Sequence, residues 1–127
     1  MSTIAVDNVK PSGGGTSVDL MAGLTKAWLN YNQVTPAVTD SINISSVTDV
    51  SAGFFKQLYT SSFANTTYCI AAATTGQGGD CLCIAGGGNF GAALNKVTSE
   101  TSMQTTTGGG GAADGEEDHV QVTGDLA

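Results

Sequence analysis

The chain has 127 residues and a formal net charge of −7, with four basic and eleven acidic side chains and only 12% charged residues. This length predicts a single domain with a modest hydrophobic core. The shortage of cationic side chains excludes nucleic-acid binding, which needs positive charge against phosphates, and disfavours docking on anionic lipid. Because no run of about 18 apolar residues occurs, no membrane insertion is expected.

The first 21 residues are predicted to form an N-terminal segment that precedes a β-rich module at 22–127. Ile4 and Val6 alternate with polar residues within 3–9, a pattern typical of a strand. The glycines at 13–15 end this strand, because glycine permits positive φ and weakens regular structure. No basic region followed by an apolar stretch opens the chain, so synthesis in a cytoplasm is expected.

Residues 17–31 allow two interpretations. Apolar residues recur at roughly helical spacing, and over 26–32 they equally alternate at strand spacing. Gly23 would cost ~1 kcal/mol inside the helix, so a strand at 26–32 is favoured. The residues at helical spacing are Val18, Met21, Leu24, Trp28 and Tyr31.

Three further strands are predicted in the middle of the chain. Residues 41–48 alternate in polarity and are rich in β-branched side chains, and 54–60 place Phe55 and Tyr59 on one face. Gln57 occupies the middle of that face, so either the register shifts locally or both faces of the strand are covered. Residues 67–73 are apolar at nearly every position, which predicts a strand buried on both faces.

The C-terminal half combines strands with glycine-rich connections. Residues 81–85 predict a short buried strand, and the Thr- and Ser-rich stretch 97–107 predicts a solvated or edge strand. Residues 108–115 have the composition of a flexible linker. Val120 and Val122 alternate with polar residues in a last strand. Together the short strands and their Gly and Pro punctuation predict an all-β fold, a sandwich or a barrel-like module.

The sequence predicts no catalytic, metal or cofactor site, and therefore no enzyme. His119, the one histidine, follows three acidic residues; a carboxylate–imidazole pair is one interpretation, and a solvated residue is the favoured one. Cys69, Cys81 and Cys83 lack the spacing of a zinc site and are interpreted as buried packing residues, with a disulfide or a metal in an assembled particle as the alternative. The glycine runs lack the phosphate-loop pattern.

Aromatic side chains beside Asn, Thr and Ser predict a candidate surface for receptor contact. Aromatic faces together with amides and hydroxyls can bind sugars. In a small β domain, core packing is the favoured interpretation for each aromatic residue. The candidates for receptor contact are Trp28, Tyr31, Phe54, Tyr59 and Phe90.

Lys-Ala-Trp-Leu-Asn-Tyr-Asn stands at 26–32, Asp-Ser-Ile-Asn-Ile-Ser-Ser-Val-Thr-Asp at 40–49 and Ala-Asn-Thr-Thr-Tyr-Cys-Ile at 64–70. In order and approximate spacing, these segments resemble the β-rich module of small fibre and appendage proteins of tailed bacteriophages. The resemblance extends over about residues 22–74, and the last eight residues match the closing strand of that module loosely. Residues 75–118 match no part of it.

The resemblance implies a non-enzymatic virion protein, a fibre or appendage component that takes part in attachment to the host. It implies a homotrimer with chain-crossing contacts, whose further partners are other virion proteins and a host surface glycan. In that picture Ile4, Val6 and Val9 dock the N-terminal strand on the particle, and the protein resides in the virion after synthesis in the host cytoplasm. Two alternatives stay open: a capsid decoration or cement protein that stabilises the shell, and a small carbohydrate-binding module.

Overall fold

A computed structural model of the chain describes residues 8–9, 13, 18–19, 24–76, 82–85 and 96–127. The described residues form ten β-strands and no helix, so none of them belongs to a helix that could cross a membrane. The all-β prediction is confirmed. The strands are β1 (Asn8–Val9), β2 (Val18–Asp19), β3 (Thr25–Asn32), β4 (Ala37–Ile42), β5 (Ile44–Ser51), β6 (Phe54–Tyr59), β7 (Cys69–Gly76), β8 (Leu82–Ala85), β9 (Glu100–Thr106) and β10 (Gly115–Thr123).

Eight of these strands form two antiparallel sheets that pack face to face as a sandwich. The first sheet has the strand order β4-β3-β10-β7, and the second has the order β5-β6-β9-β8. Strands β1 and β2 pair separately, with Val9 opposite Val18. Of the two predicted architectures, a sandwich or a barrel-like module, the structure has the sandwich.

The core lies between the central strands of the two sheets, with an aromatic cluster at one end. The Tyr31 ring of the first sheet meets the Phe55 ring of the second with centroids 5.1 Å apart. Phe63 stacks on Tyr68 at 4.4 Å and meets the edge of Tyr59 at 4.8 Å. Buried rings of this kind dominate the energy of a small core. The core residues are Ala27, Leu29, Tyr31, Phe55, Tyr59, Phe63, Tyr68, Met103, Val120 and Val122.

The strands predicted at 26–32 and 54–60 are confirmed as β3 and β6. In β6, Gln57 is completely buried on the core face, between Phe55 and Tyr59, and the strand pairs with β9 without a shift in register. Gln57 Nε2 donates to Tyr59 Oη at 3.3 Å. A polar side chain therefore occupies an ordinary inward position: β6 pairs with β9 without a register shift, and the shifts in its pairing with β5 lie at the two ends of the strand, away from Gln57.

The single strand predicted at 41–48 is wrong, because Asn43 divides it into two strands of different sheets. Asn43 has φ = 57°, a left-handed conformation that Asn tolerates better than most residues. Its side chain accepts a hydrogen bond from Ser61 N at 2.7 Å and donates one to Ser61 O at 3.0 Å. The chain thus leaves the first sheet after Ile42 and enters the second at Ile44.

The prediction of a solvated or edge strand at 97–107 is also wrong. Strand β9 lies between β6 and β8, and its residues 101–106 are buried. Hydroxyl groups can be buried when they are hydrogen-bonded, and Thr101 Oγ1 lies 2.7 Å from Tyr59 Oη and 2.6 Å from Tyr68 Oη. The hydroxyl-rich composition of β9 therefore serves contacts inside the sandwich.

Two further predictions need correction. Strand β7 forms an edge of the first sheet, and its residues alternate between exposed and half-buried, so it is not covered on both faces.

Part of the predicted linker is an ordered turn, in which Gly110 N donates to Thr107 O and Thr107 N donates to Gly111 O, each at 2.8 Å. Its last residue, Gly115, is buried at the start of β10.

Candidate functional site

The outer face of the first sheet presents the candidate site. In β3, Ala27 and Leu29 point into the core, so the alternation of the strand directs Trp28 and Asn30 outward. Trp28 and Asn30 are both half-buried. In the neighbouring β10, Asp118, Val120 and Val122 are buried, so the same alternation leaves His119 and Gln121 exposed.

The register aligns these outward residues in two rows across all four strands. In the first row, Gln121 pairs with Trp28 on one side and with Ala71 on the other, and Trp28 pairs with Ile42. In the second row, the central residues Asn30 and His119 are paired and are flanked by one acidic and one alanine residue. We refer to these rows as the Trp28 strip, which consists of Ile42, Trp28, Gln121, Ala71, Asp40, Asn30, His119 and Ala73.

A shallow depression of about 230 Å³ lies at one end of the Trp28 strip. It is lined by residues 71–73 of β7 and by His119 and Gln121 of β10. The depression exists because Ala71 and Ala73 are short, while their cross-strand neighbours are long. This end of the strip is therefore a shallow groove whose floor is alanine and whose wall is polar.

The side chains of the Trp28 strip are suited to binding. Among the described residues, no partner within the chain takes up the hydrogen-bonding groups of the Asn30 and Gln121 amides. Each amide offers donors and acceptors together, and the indole ring adds a flat apolar face with one donor. The strip can thus satisfy a ligand that carries both hydroxyl groups and apolar C–H faces.

The geometry around His119 does not assemble the carboxylate–imidazole arrangement with its neighbour in sequence. Asp118 is completely buried on the opposite face of β10. His119 Nε2 lies 3.6 Å from Glu117 Oε2, and both side chains are at least half exposed. An exposed ion pair of this kind contributes little, so the favoured interpretation of His119 as a solvated residue agrees with its position.

The predicted receptor-contact residues do not form one surface. Trp28 lies on the outer face of the first sheet, and Phe54 is half-buried on the second. Tyr31 and Tyr59 are only 3% and 6% exposed. For these two residues the prediction of receptor contact is corrected, because their rings are part of the core. Phe90 lies outside the described residues.

The predicted docking residues and two of the cysteines fall largely outside the described residues. Ile4 and Val6 are not among them, and for Val9 the structure describes the backbone alone, in β1. Cys81 lies outside the described residues, as does the side chain of Cys83 in β8.

Cys69 is exposed on β7, so its interpretation as a buried packing residue is wrong. In the part of the chain that the structure describes, no group of three or more His, Cys, Asp and Glu side chains is placed to hold a metal ion.

Sequence reasoning missed a buried polar cluster at the end of the sandwich beside the turn at 33–36. Gln33, Thr105 and Asp118 are each at most 2% exposed. Thr105 Oγ1 donates to Asp118 Oδ1 at 3.3 Å. Burial, the largest cause, raises the pKa of the Asp118 carboxyl above its ordinary value. Burial also raises the pKa of Tyr31, and the nearby negative charge of Asp49 raises this pKa further.

Comparison of the chain with protein-family models, with curated proteins and with solved structures finds no match. The functional assignment therefore depends on the segments at 26–32, 40–49 and 64–70 and on the geometry of the two sheets.

Proposed function

We propose that this protein is a non-enzymatic structural component of a tailed-bacteriophage virion, a fibre or appendage module that takes part in attachment to the host. The observation that carries the proposal is the spatial arrangement of the motif segments. Residues 26–32 lie in β3, residues 64–70 lead into β7, and the closing segment begins in β10 between them, while residues 40–49 pass from β4 of this sheet to β5 of the second. Three segments that are far apart in sequence thus meet in the first sheet, and the fourth joins this sheet to the second, which supports the proposal that they form one module.

A homotrimer is the proposed assembly, and the two edge strands β4 and β5 support it. Both are largely exposed, and they carry apolar residues: Val38 is 44% and Val50 is 48% exposed. Unpaired edges with apolar side chains favour association with another chain. With only 12% charged residues, the chain has little charge to keep such edges in solvent.

The mass of the purified protein in native solution tests the trimer. A stable trimer at micromolar concentration is the expected result, measured by light scattering or native mass spectrometry. Val38→Lys should weaken the trimer at least tenfold, because it adds a charge to the edge of the first sheet. Val97→Lys is the matched control, since Val97 is 39% exposed and lies outside both sheets. A stable monomer of the unmodified chain would overturn the trimer.

The number of copies per particle tests the place in the virion. Quantitative mass spectrometry of purified phage particles should find a few copies per tail or vertex. Hundreds of copies would instead identify a capsid decoration or cement protein. Complete absence from purified particles would reject a virion role and leave the small carbohydrate-binding module.

A further inference from the structure

We propose that the Trp28 strip binds a neutral oligosaccharide, laid across β3, β10 and β7. The inference deepens the proposed attachment role and rests on it for its biological meaning. Its physical basis is the strip itself: one half-buried indole, two amides without partners among the described residues, and an alanine-floored groove.

The dimensions of the strip match an extended sugar chain. Neighbouring strands lie roughly 4.8 Å apart, so the four strands span roughly 14 Å, and paired rows on one face are roughly 7 Å apart along the strands. A short oligosaccharide placed across the strands would contact Trp28 at one end. Its next residues would lie over Gln121 and the depression beside Ala71.

The chemistry of the strip is complementary to a sugar. One face of a hexose presents C–H groups, which pack on the flat ring of Trp28. Sugar hydroxyls both donate and accept hydrogen bonds, as do the amides of Asn30 and Gln121. His119 provides a further ring nitrogen at the edge of the depression.

The charges on the same face disfavour an anionic ligand. Asp40 and Glu117 point outward there, while the sheet offers Lys26 as the one lysine on the outer positions of β3. A sialic acid, sulfate or phosphate group would meet net negative charge. The expected ligand is therefore uncharged.

A protein partner is also disfavoured on this face. Protein interfaces depend on several large apolar or aromatic side chains that are buried together at the centre. Trp28 and Ile42, at the edge of the sheet, are the two large apolar side chains of the strip, and the floor beyond Trp28 consists of Ala71 and Ala73. The interior strands β3 and β10 have both edges paired, so they offer no free strand edge for an added peptide.

The fluorescence of Trp28 tests the proposal directly, because the chain contains a single tryptophan. The purified full chain is first applied to an array of neutral oligosaccharides of glucose, galactose, mannose and N-acetylglucosamine, with sialylated and sulfated glycans beside them. Each retained glycan is then titrated while the indole emission is recorded. We expect a saturable change with a neutral glycan.

Two variants and a matched control locate the site. Ala71→Phe fills the groove and should weaken binding at least tenfold, and so should Trp28→Ala, measured by calorimetry. Thr75→Phe is the matched control. It places the same ring on the same strand and face, but at the pair Thr75–Glu117, which lies next to the Trp28 strip and outside it, and it should leave binding unchanged. Circular dichroism of each variant confirms that it is folded.

Three results would overturn the proposal. They are no retained neutral glycan, a preference for sialylated or sulfated glycans, and equal binding by the Ala71→Phe variant and the unmodified chain. These results are independent of the copy number in purified particles. A chain that is present in virions and binds no neutral glycan would reject this inference and leave the structural role intact.

Discussion

Gln33 Nε2 donates to Asp118 Oδ2 across 3.0 Å at a point where both residues are buried. In this orientation the amide nitrogen also lies 2.8 Å from Thr105 Oγ1, and the amide oxygen accepts from Phe54 N at 3.3 Å. The reverse orientation would direct the amide oxygen at the carboxylate, so complementarity of donors and acceptors fixes the nitrogen on that side. The pair joins the turn at 33–36 to the first part of β10.

Replacing Gln33 should destabilise the protein, because it leaves the buried Asp118 carboxylate without this donor. Gln33→Met keeps a similar length but removes the donor, so the completely buried Asp118 loses a hydrogen-bond partner. We expect the free energy of unfolding to fall by about 1–3 kcal/mol, measured by urea denaturation. Gln121→Met is the control: its side chain is exposed, and a change within about 0.5 kcal/mol is expected.

A double variant separates the hydrogen bond from simple packing. The double variant Gln33→Met, Asp118→Val replaces both polar side chains by apolar ones. Such a paired replacement often changes the free energy of unfolding very little. The double variant should therefore be more stable than Gln33→Met alone. If the losses of the two single variants simply add, the two side chains do not interact, and the assignment of the pair is wrong.

The buried Asp118 also predicts how stability depends on pH. Its folded-state pKa is raised, chiefly by burial, above the ordinary value of 3.8. Between these two values the unfolded chain has already released the proton that the folded chain retains. The contribution of Asp118 to stability is therefore present at low pH and is lost as the pH rises through the raised pKa.

Asp118→Asn should remove this part of the pH dependence. Urea denaturation at a series of pH values above 3.8 should show a flatter stability curve for the variant than for the unmodified chain. Asp125→Asn changes an exposed carboxyl and should leave the curve nearly unchanged. An identical slope in the Asp118→Asn variant would show that this carboxyl does not carry the effect.

The sequence predicted strands best where one face is core and the other is solvent. β3, β6 and β10 show that alternation directly, and Val120 and Val122 are inward as expected. The burial of β9 is not predictable locally, because a buried hydroxyl requires a partner from a distant strand, such as Tyr59 for Thr101, and no local pattern indicates that partner. The break at Asn43 was hidden by the β-branched residues on both sides of it.

The candidate site was only partly predictable for a related reason. Trp28 was recognised from its residue type, but its neighbours come from β4, β7 and β10. Which residues lie side by side depends on strand order and register, and both are set by the whole sandwich. The alanines at 71 and 73, which make the groove, carry no chemical signal of their own.

Gly53 should be among the residues most sensitive to substitution. Its φ is 73°, and a Cβ atom there would lie 2.6 Å from the backbone atoms Ala113 N and Thr105 O. Backbone atoms on two sides cannot move away without breaking the hydrogen bond from Thr105 N to Gly53 O. We expect Gly53→Ala to destabilise the protein by more than about 3 kcal/mol or to prevent folding.

Gly110 supplies the matched control for that substitution. It has a similar φ of 83°, but no atom lies within 4 Å of the Cβ position. Gly110→Ala should therefore carry only the backbone cost of about 1 kcal/mol. Thermal unfolding and the soluble yield of both variants measure the difference. Equal losses at the two positions would mean that φ alone, and not the crowding at Gly53, sets the cost.

Asn43 combines a left-handed backbone with two side-chain hydrogen bonds, and three variants can separate these effects. Asn43→Gly keeps the backbone conformation but loses both bonds to Ser61, so a loss of about 1–2 kcal/mol is expected. Asn43→Ala adds the cost of a left-handed alanine, about 1 kcal/mol more. Asn43→Val should be the least stable, because a β-branched residue tolerates positive φ poorly.

Urea denaturation of the three variants should therefore rank them Gly, Ala and Val in decreasing stability. Asn30→Ala is the control, since Asn30 lies in extended β3 and should change stability by no more than about 0.5 kcal/mol. If the Gly and Ala variants are equally stable, the left-handed backbone contributes nothing measurable to stability. The hydrogen bonds to Ser61 would then account for the whole effect of Asn43. If Asn43→Val is as stable as the unmodified chain, the passage between the two sheets does not depend on Asn43.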